Sequence, residues 1–376
     1  MATDLRDSIE AKPQALTPAA TAARLAVIGV ALSIVVVVFA AVGGWLAPRR
    51  LTQDRVMQAF EEVNGAHPGF RRNHAKGVCV YGWFDSNGAA AALSRAGVLQ
   101  AGARAQVIGR FALAGGMPAQ ADTPLQVRSM ALRFLPRGGG EWRTGMNNIP
   151  VFPVNSAQAF YDQLLLGKPD PVTGKPDPAA LPAFLAQHPE TARALTLIKA
   201  RPISSGFADS VFNSLNAFRF VNAAGVSTAV RWAMEPLQPV VAAAPAQTAG
   251  ADRNFLFDDL IAQVRQRALQ WRLMVTVGES GDPTSDATLP WPAERQRIDA
   301  GTLTLDAVSS EDGGGACTDI NYDPLVLPAG IEASDDPLLS ARSAAYARSF
   351  TLRAGEQARK AASAVTAQEV RAGGKS

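Results

Sequence analysis

Arg342, Tyr346 and Arg353, near the carboxyl end of the chain, share a spacing that suits metal chemistry. They lie in a run rich in Ala, Arg and Ser, which predicts a helix from Leu338 to about Val370. Positions i, i+4 and i+11 fall on one face of such a helix. A guanidinium one turn from a phenol favours the phenolate, which is a good hard ligand for Fe(III). The same spacing also fits an amphipathic helix with solvated arginines and a buried tyrosine.

Two further polar positions stand beside predicted strands. His74 lies in RRNHAKGVCVYGWF, where arginines and a histidine lead into an alternating apolar run. A histidine at a strand entrance is either a structural residue or an acid–base group, and its position alone does not decide which. Asn147 and Asn148 follow another predicted strand, where a pair of asparagines is also typical of a turn.

The composition is that of a globular protein. The chain has 376 residues, of which 47% are apolar and 18% charged, so it has room for one large domain or two. Its formal net charge is only +3 and the basic residues are dispersed. This pattern excludes the concentrated basic surface that nucleic-acid binding requires, so no nucleic-acid partner is expected.

An apolar segment near the amino terminus predicts a membrane helix. Residues 25–47 carry no charge, and at 1.5 Å per residue they can cross a bilayer core of about 30 Å. A retained anchor is favoured over a cleaved signal peptide because the apolar core is long and no clean cleavage site ends it. Basic residues flank both ends, so charge does not set the orientation. The expected organisation is a polar tail (1–22), an anchor (23–47), a linker (48–59), a body (60–355) and a helical tail (356–376).

The body reads as an α+β fold with a strand-rich core. Strand-like runs separated by Gly-, Pro- and Asn-rich turns fill residues 76–155, which is typical of an antiparallel sheet or barrel. A short helix is predicted at 158–167, and further helix at 179–200. Strands resume between 216 and 279. Cys79 and Cys317 pair if the body is exported, or remain buried thiols if it is not.

Five motifs taken in order resemble those of the haem catalase superfamily. They are RRNHAKG, VIGRFALAGG, MNNIPVF, YDPLVLPAGIEASDDPLL and RSAAY. The pattern is most similar to the short branch of that superfamily, the catalase-related peroxidases, several of which carry a membrane segment. The resemblance covers residues 60–355 and implies an antiparallel β-barrel with added helices and a haem b cofactor.

The resemblance also implies a role for individual residues. His74 and Asn147 match the distal catalytic pair, and Tyr346 matches the proximal iron ligand with Arg342 as its partner. Phe160 matches a distal aromatic ring against the porphyrin, although core packing explains this residue equally well. The remaining matches are to arginines that hold the haem propionates: Arg71, Arg110 and Arg353.

Two positions depart from the pattern of full-length catalases. Ala112 replaces a serine that hydrogen-bonds the distal histidine, and Asn73 replaces an apolar valine beside it. The sequence also ends soon after the tyrosine helix, so the C-terminal additions of larger catalases are not expected. The expected activity is therefore a haem peroxidase that reduces H2O2 or organic hydroperoxides through a ferryl intermediate, with small organic donors and residual catalase activity. True catalase activity, a hydroperoxide-rearranging isomerase and a non-enzymatic haem carrier are the alternatives.

The resemblance extends to partners and location. Peroxide and a small organic electron donor are the expected reactants, and a homo-oligomer is expected. The N-terminal helix is expected to attach the protein to a membrane as a single-pass anchor, with the catalytic domain on the periplasmic side. A role in defence against oxidative stress follows from this activity.

Overall fold

The computed structural model describes residues 17–43, 50–241, 253–312 and 314–373. The chain divides into two units, 1–52 and 53–376. In the first unit, helix α1 (Pro18–Val42) is capped by Thr17, whose hydroxyl accepts a hydrogen bond from the N–H of Ala20. The helix has 25 residues, none of them buried, and is long and apolar enough to cross a membrane. A signal sequence meets the same criteria. The helix begins before the expected anchor at 23–47, whose last residues (44–47) lie outside the described part.

The second unit is built around an antiparallel sheet in which β7 pairs with both β5 and β8. This double pairing closes an eight-stranded barrel in the order β7-β5-β4-β3-β2-β1-β9-β8. Strands β6 and β10 extend the sheet beyond β7. The strand bounds are β1 (Gly77–Ser86), β2 (Arg104–Leu113), β3 (Arg128–Pro136), β4 (Trp142–Asn147), β5 (Phe212–Asn213), β6 (Phe218–Val221), β7 (Ser227–Pro236), β8 (Leu269–Val277), β9 (Arg297–Ser309) and β10 (Ile331–Ala333).

The inside of the barrel is an apolar core formed by alternate residues of each strand. On β4, Trp142, Thr144 and Met146 are buried, while the residues between them are partly accessible. The Trp142 ring stacks on Phe134 with centroids 4.8 Å apart and meets Trp232 edge-on at 5.1 Å. Complete burial of large side chains such as these contributes roughly 2 to 3 kcal/mol each. The two-residue period therefore separates a core face of the wall from an outer face.

The helices of the second unit lie outside the barrel wall. Helices α2, α3 and α7 pack against one another. Helix α7 is capped by Asp336, whose carboxylate accepts a hydrogen bond from the N–H of Leu338. Their bounds are α2 (Gln53–Asn64), α3 (Ala157–Leu165), α4 (Ala180–Gln187), α5 (Pro189–Ala200), α6 (Phe255–Gln266), α7 (Pro337–Glu356) and α8 (Ala367–Ala372), with 3-10 turns at Gly97–Leu99 and Gln357–Arg359.

The predicted α+β class with an antiparallel barrel and added helices is confirmed. Helix α7 is shorter than expected: it ends at Glu356, whose carboxylate accepts hydrogen bonds from Gly69 and Arg72, and a 3-10 turn follows. Helix α2 begins at Gln53, within the segment expected to be a linker.

Cys79 and Cys317 form a disulfide, which settles the question that the sequence left open. Their Cα atoms are 5.4 Å apart, and both residues are fully buried. Cys79 is the third residue of β1, where the strand pairs with β2 on one side and begins its pairing with β9 on the other. The bond therefore ties residues 314–323, called the 314–323 segment below, to the barrel wall.

Candidate functional site

A cavity of about 330 Å³ lies between the outer face of the barrel wall and helices α2, α3 and α7. All eight residues singled out from the sequence line it, although they come from distant parts of the chain. The structure therefore brings together Arg71, His74, Arg110, Asn147, Phe160, Arg342, Tyr346 and Arg353.

The wall of this cavity is the outer face of strands β2, β3 and β4. On β4, the alternation that buries Thr144 and Met146 turns Gly145 and Asn147 outwards. A Cβ added at Gly145 would lie 3.5 Å from the phenol oxygen of Tyr346, so helix α7 brings this side chain close to the strand. Four further residues of this wall are small or polar. They are Ala112 on β2, Ala114 just after β2, and Ser129 and Ala131 on β3.

His74 stands at the entrance of β1 in a strained backbone conformation. Its φ angle is 57°, in the left-handed region that residues other than glycine rarely adopt. The side-chain oxygen of Asn73 accepts hydrogen bonds from the N–H of His74 at 2.9 Å and from the N–H of Gly115 at 3.0 Å. Nη1 of Arg110 donates to the His74 carbonyl at 2.8 Å. These bonds offset a conformational cost of about 1 to 2 kcal/mol.

The surroundings of His74 keep its imidazole neutral. Burial lowers its pKa to about 3, and the positive charges of Arg110 and Arg342 act in the same direction. The Leu113 carbonyl opposes the shift without reversing it. Nδ1 is buried and makes no hydrogen bond of standard geometry with any described residue. The ring is thus a neutral group with an unused nitrogen at a cavity wall.

The two asparagines at the end of β4 have different surroundings. Oδ1 of Asn147 is buried and has no hydrogen-bond partner among the described residues. Asn148 instead completes the ladder with β3, because its side chain accepts from the N–H of Arg128 and its own N–H donates to the Arg128 carbonyl. Asn147 is therefore the one that lines the cavity.

Arg342, one turn before Tyr346 on helix α7, is held by two hydrogen bonds to other elements. Arg342 donates through Nη1 to the side chain of Asn216 and through Nη2 to the Gly145 carbonyl, at 3.3 Å. Asn216 in turn donates to Asp336 at 2.7 Å. The guanidinium carbon lies 6.0 Å from the centroid of the Tyr346 ring. Neither Asn216 nor Asp336 was singled out from the sequence. Asn216 lies 126 positions before Arg342, whereas Asp336 lies in the quoted motif before helix α7 and caps that helix.

Arg71 and Arg353 are held by one stretch of backbone. Nη2 of Arg71 donates to the carbonyls of Cys317 and Ile320 at 3.1 and 3.0 Å, and Nη1 of Arg353 donates to that of Thr318 at 2.9 Å. Nε of both arginines, and Nη2 of Arg353, are buried without a hydrogen-bond partner in the described structure. Burial lowers both pKa values, that of Arg353 to about 9. Two desolvated cations with spare donors favour a ligand that carries carboxylates.

Arg110 differs from these two arginines, because all its guanidinium nitrogens have protein partners. Nε and Nη2 donate to the carboxylate of Glu311 at 2.9 and 2.7 Å, and the remaining contacts are to the His74 and Ala75 carbonyls. Burial acts to raise the pKa of Glu311, but the charge and hydrogen bonds of Arg110 lower it overall. The expectation that Arg110 holds a propionate stays a prediction; in the structure its guanidinium joins the Glu311 carboxylate to the backbone at His74. Glu311 was not singled out from the sequence.

Phe160 lies within a small aromatic cluster at the cavity edge. Its ring centroid is 6.0 Å from those of Phe60 and Phe152. It packs against apolar neighbours and also lines the cavity, so the two interpretations of this residue are compatible. Ala112 and Asn73, the two departures from the catalase pattern, line the same cavity.

Comparisons with known proteins agree with this geometry. The family model described as Catalase matches residues 50–370. A catalase-related peroxidase of Synechococcus elongatus is 37% identical over 88% of this chain and 94% of its own length. One of Mycolicibacterium paratuberculosis is 30% identical over 81% of this chain and 96% of its own.

Larger proteins share the fold over part of their length. A catalase of Pseudomonas aeruginosa is 28% identical, and this chain covers 61% of it. A fungal catalase structure superposes with a TM-score of 0.69 at 19% identity, covering 83% of this chain and 63% of that structure. The family match spans the barrel, the cavity wall and helix α7 alike. The chain belongs to the catalase family.

Proposed function

We propose that this chain is a haem-dependent peroxidase that reduces H2O2 or organic hydroperoxides at the expense of small organic donors. Membership of the catalase family makes it an oxidoreductase that acts on peroxide. The finer assignment rests on one observation: buried polar atoms without partners among the described residues surround a single cavity. They belong to Arg71, His74, Asn147 and Arg353.

The side chains around the cavity fit a haem. Tyr346 offers a phenol oxygen beside a fixed arginine, which suits an anionic ligand for ferric iron. Arg71 and Arg353 offer spare N–H donors at the 314–323 segment, which suit two propionates. Arg110 has its own carboxylate, so we assign it to His74 and not to a propionate. When bound, haem b supplies the redox chemistry.

The proton transfer is assigned to His74. A neutral imidazole accepts the proton of an incoming hydroperoxide and returns it to the oxygen that leaves, so one group serves as base and then as acid. The low pKa keeps the ring unprotonated at neutral pH, which is the form that a base requires. The amide N–H of Asn147 donates a hydrogen bond to the peroxide without titrating itself.

Two observations support peroxidase over catalase activity. Ala112 lines the cavity, so no hydroxyl is available at the position where the catalase pattern has a serine next to the histidine. The relatives that match over nearly their whole length are named catalase-related peroxidases, whereas the chain covers under two thirds of the Pseudomonas catalase.

The proposed location is the outer face of a bacterial membrane, with helix α1 as a single-pass anchor. The buried disulfide supports this, because disulfides persist in oxidising compartments such as the periplasm. There the enzyme meets external peroxide, which fits a role in oxidative-stress defence. A homo-oligomer remains part of the proposal on family resemblance.

The test uses the full chain purified in detergent with haem. H2O2 is added with and without a phenolic donor, and donor oxidation and O2 release are recorded together. Oxidation of the donor with little O2 release is expected. Vigorous O2 release without a donor would make the protein a true catalase, and haem binding without any turnover would make it a haem carrier.

A further inference from the structure

Among the described residues, the 314–323 segment supplies every hydrogen-bond acceptor that holds Arg71, and the one that holds Arg353. These acceptors are the carbonyl oxygens of Cys317, Thr318 and Ile320. Each arginine donates hydrogen bonds to the segment through one nitrogen only. Nε of Arg71, and Nε and Nη2 of Arg353, are buried without a partner in the described part of the chain. The direction of both guanidinium groups is therefore set by the position of this segment.

The segment owes its position to the barrel wall. The disulfide joins Cys317, whose own carbonyl accepts from Arg71, to Cys79 near the start of β1. Cys79 is opposite Arg110 on β2 and Ser309 on β9, so this anchor lies within a three-strand ladder. Hydrogen bonds from the N–H of Ala316 to the Tyr81 hydroxyl, at 3.2 Å, and from Arg143 to the Asn321 carbonyl flank the covalent tie.

We propose that the Cys79–Cys317 disulfide is a positioning element for the carboxylate-binding end of the cavity. It holds the backbone carbonyls that aim Arg71 and Arg353, and so it sets the affinity for a dicarboxylate porphyrin. This inference rests on the proposed function, because it takes the two arginines as the propionate site. Two-electron reduction by a dithiol gives two cysteine thiols and a cyclic disulfide of the reagent, and it frees the segment to move.

The physical reason is the burial of the two cations. A hydrogen bond between a guanidinium and a carboxylate is strong only when its geometry is fixed. Once the segment moves, Arg71 and Arg353 lose their shared acceptors and must be ordered again when the ligand binds. The affinity for carboxylate ligands is expected to fall most, since an uncharged ester forms only weak hydrogen bonds with these donors.

The experiment compares the full-length wild-type chain with Cys79→Ser/Cys317→Ser. The probes are metal-free protoporphyrin IX and its dimethyl ester, titrated by fluorescence, so that iron ligation by Tyr346 does not contribute. The dissociation constant of the diacid is expected to rise about tenfold in the variant, as for the loss of one charge-assisted hydrogen bond. That of the ester is expected to change by less than about twofold. Equal losses for both probes, or no loss, would overturn the proposal.

Arg71→Lys in both backgrounds provides a matched control. Its effect on diacid binding is expected to shrink once the disulfide is removed, because the two changes act through one contact. Additive effects would contradict the proposal. If the serine variant does not fold, phenylglyoxal labelling of Arg71 and Arg353 in the wild type replaces it. Faster labelling after reduction supports the proposal, and an unchanged rate overturns it.

The outcome is separable from that of the proposed function. Iron protoporphyrin added to the wild type tests the haem assignment through its absorption spectrum. One outcome is that the wild type prefers the diacid to the ester, loses this preference without the disulfide, and yet does not bind iron through Tyr346. That outcome would overturn the proposed function and leave this inference standing. Tight binding of iron porphyrin with the same affinity in the presence and absence of the disulfide would support the proposed function and overturn this inference.

Discussion

Asn73 holds His74 in its left-handed conformation through a hydrogen bond of 2.9 Å from the histidine N–H to the asparagine side-chain oxygen. The same oxygen accepts from Gly115, so it joins the turn before β1 to the end of β2. The sequence marked Asn73 only as a departure from the catalase pattern. Its hydrogen bonds give it a physical effect, which is to fix the backbone from which the imidazole projects.

Replacing Asn73 by valine tests this clamp. Asn73→Val leaves two backbone N–H groups without their acceptor, and we expect the free energy of unfolding to fall by about 1 to 3 kcal/mol. Donor oxidation is expected to fall with it, while haem binding is kept. Asn73→Asp retains the acceptor and serves as the control. Wild-type stability and turnover in the valine variant would show that the clamp is dispensable.

The buried Arg110–Glu311 pair is expected to dominate the stability of the cavity wall. Glu311→Gln leaves Arg110 inside the protein without a counter-charge, which costs about 3 to 5 kcal/mol. Chemical denaturation of the haem-free protein measures this cost. Glu332→Gln, at an exposed position on β10, is the matched control and should change stability by less than about 0.5 kcal/mol. Similar effects of the two substitutions would refute the role of the pair.

The low pKa of His74 predicts acid sensitivity. The folded value is about 3, whereas an unfolded histidine has a pKa of about 6.5. Between these pH values the unfolded chain binds a proton that the folded chain does not. The contribution of neutral His74 to the free energy of unfolding is therefore complete above pH 6.5 and is lost as the pH falls towards 3. The slope approaches about 1.4 kcal/mol per pH unit.

His74→Gln should remove this slope from the haem-free protein. Denaturation at pH 7 and pH 5 measures it, and His67→Gln, at a histidine outside the cavity, is the control. An unchanged difference between the two pH values in His74→Gln would mean that other groups cause the acid sensitivity.

Two tyrosines line the cavity, and only one is expected to bind iron. Burial raises the pKa of Tyr322, and its hydroxyl donates to the Ile108 carbonyl at 3.4 Å, so it remains a neutral phenol. Tyr346→Phe is expected to abolish the tyrosinate-type absorption of the haem complex and to weaken haem binding. Tyr322→Phe should leave the spectrum unchanged. The ligand assignment fails if Tyr346→Phe keeps the wild-type spectrum.

Local sequence patterns predicted the strands and the helix whose residue spacing is visible within a short stretch of sequence. The alternation in β1 to β4 reflects a wall with one face in an apolar core, and the spacing of Arg342 and Tyr346 reflects one helix face. Strand β9 and helix α6 were missed. Strand β9 carries charged residues and bends at Gly301, where φ is 142°, so its alternation is interrupted.

Long-range pairings were not predictable from the sequence. Glu311 and Arg110 are 201 positions apart, and Cys79 and Cys317 are 238 apart. Each pairing follows from barrel closure, which no local pattern encodes. The role of Arg110 shows the consequence. A motif indicates that an arginine lies near the cavity, but only its partner decides whether the guanidinium is free to bind a ligand.

Strand β4 serves two compartments at once, since Thr144 and Met146 fill the barrel while Gly145 and Asn147 face the cavity. A slip of one residue in its pairing with β3 would exchange these two sets. Met146 would then enter the cavity and Asn147 the apolar core. Core packing in the barrel thus fixes the register of the site, so substitutions that never touch the cavity are able to inactivate it by permitting that slip.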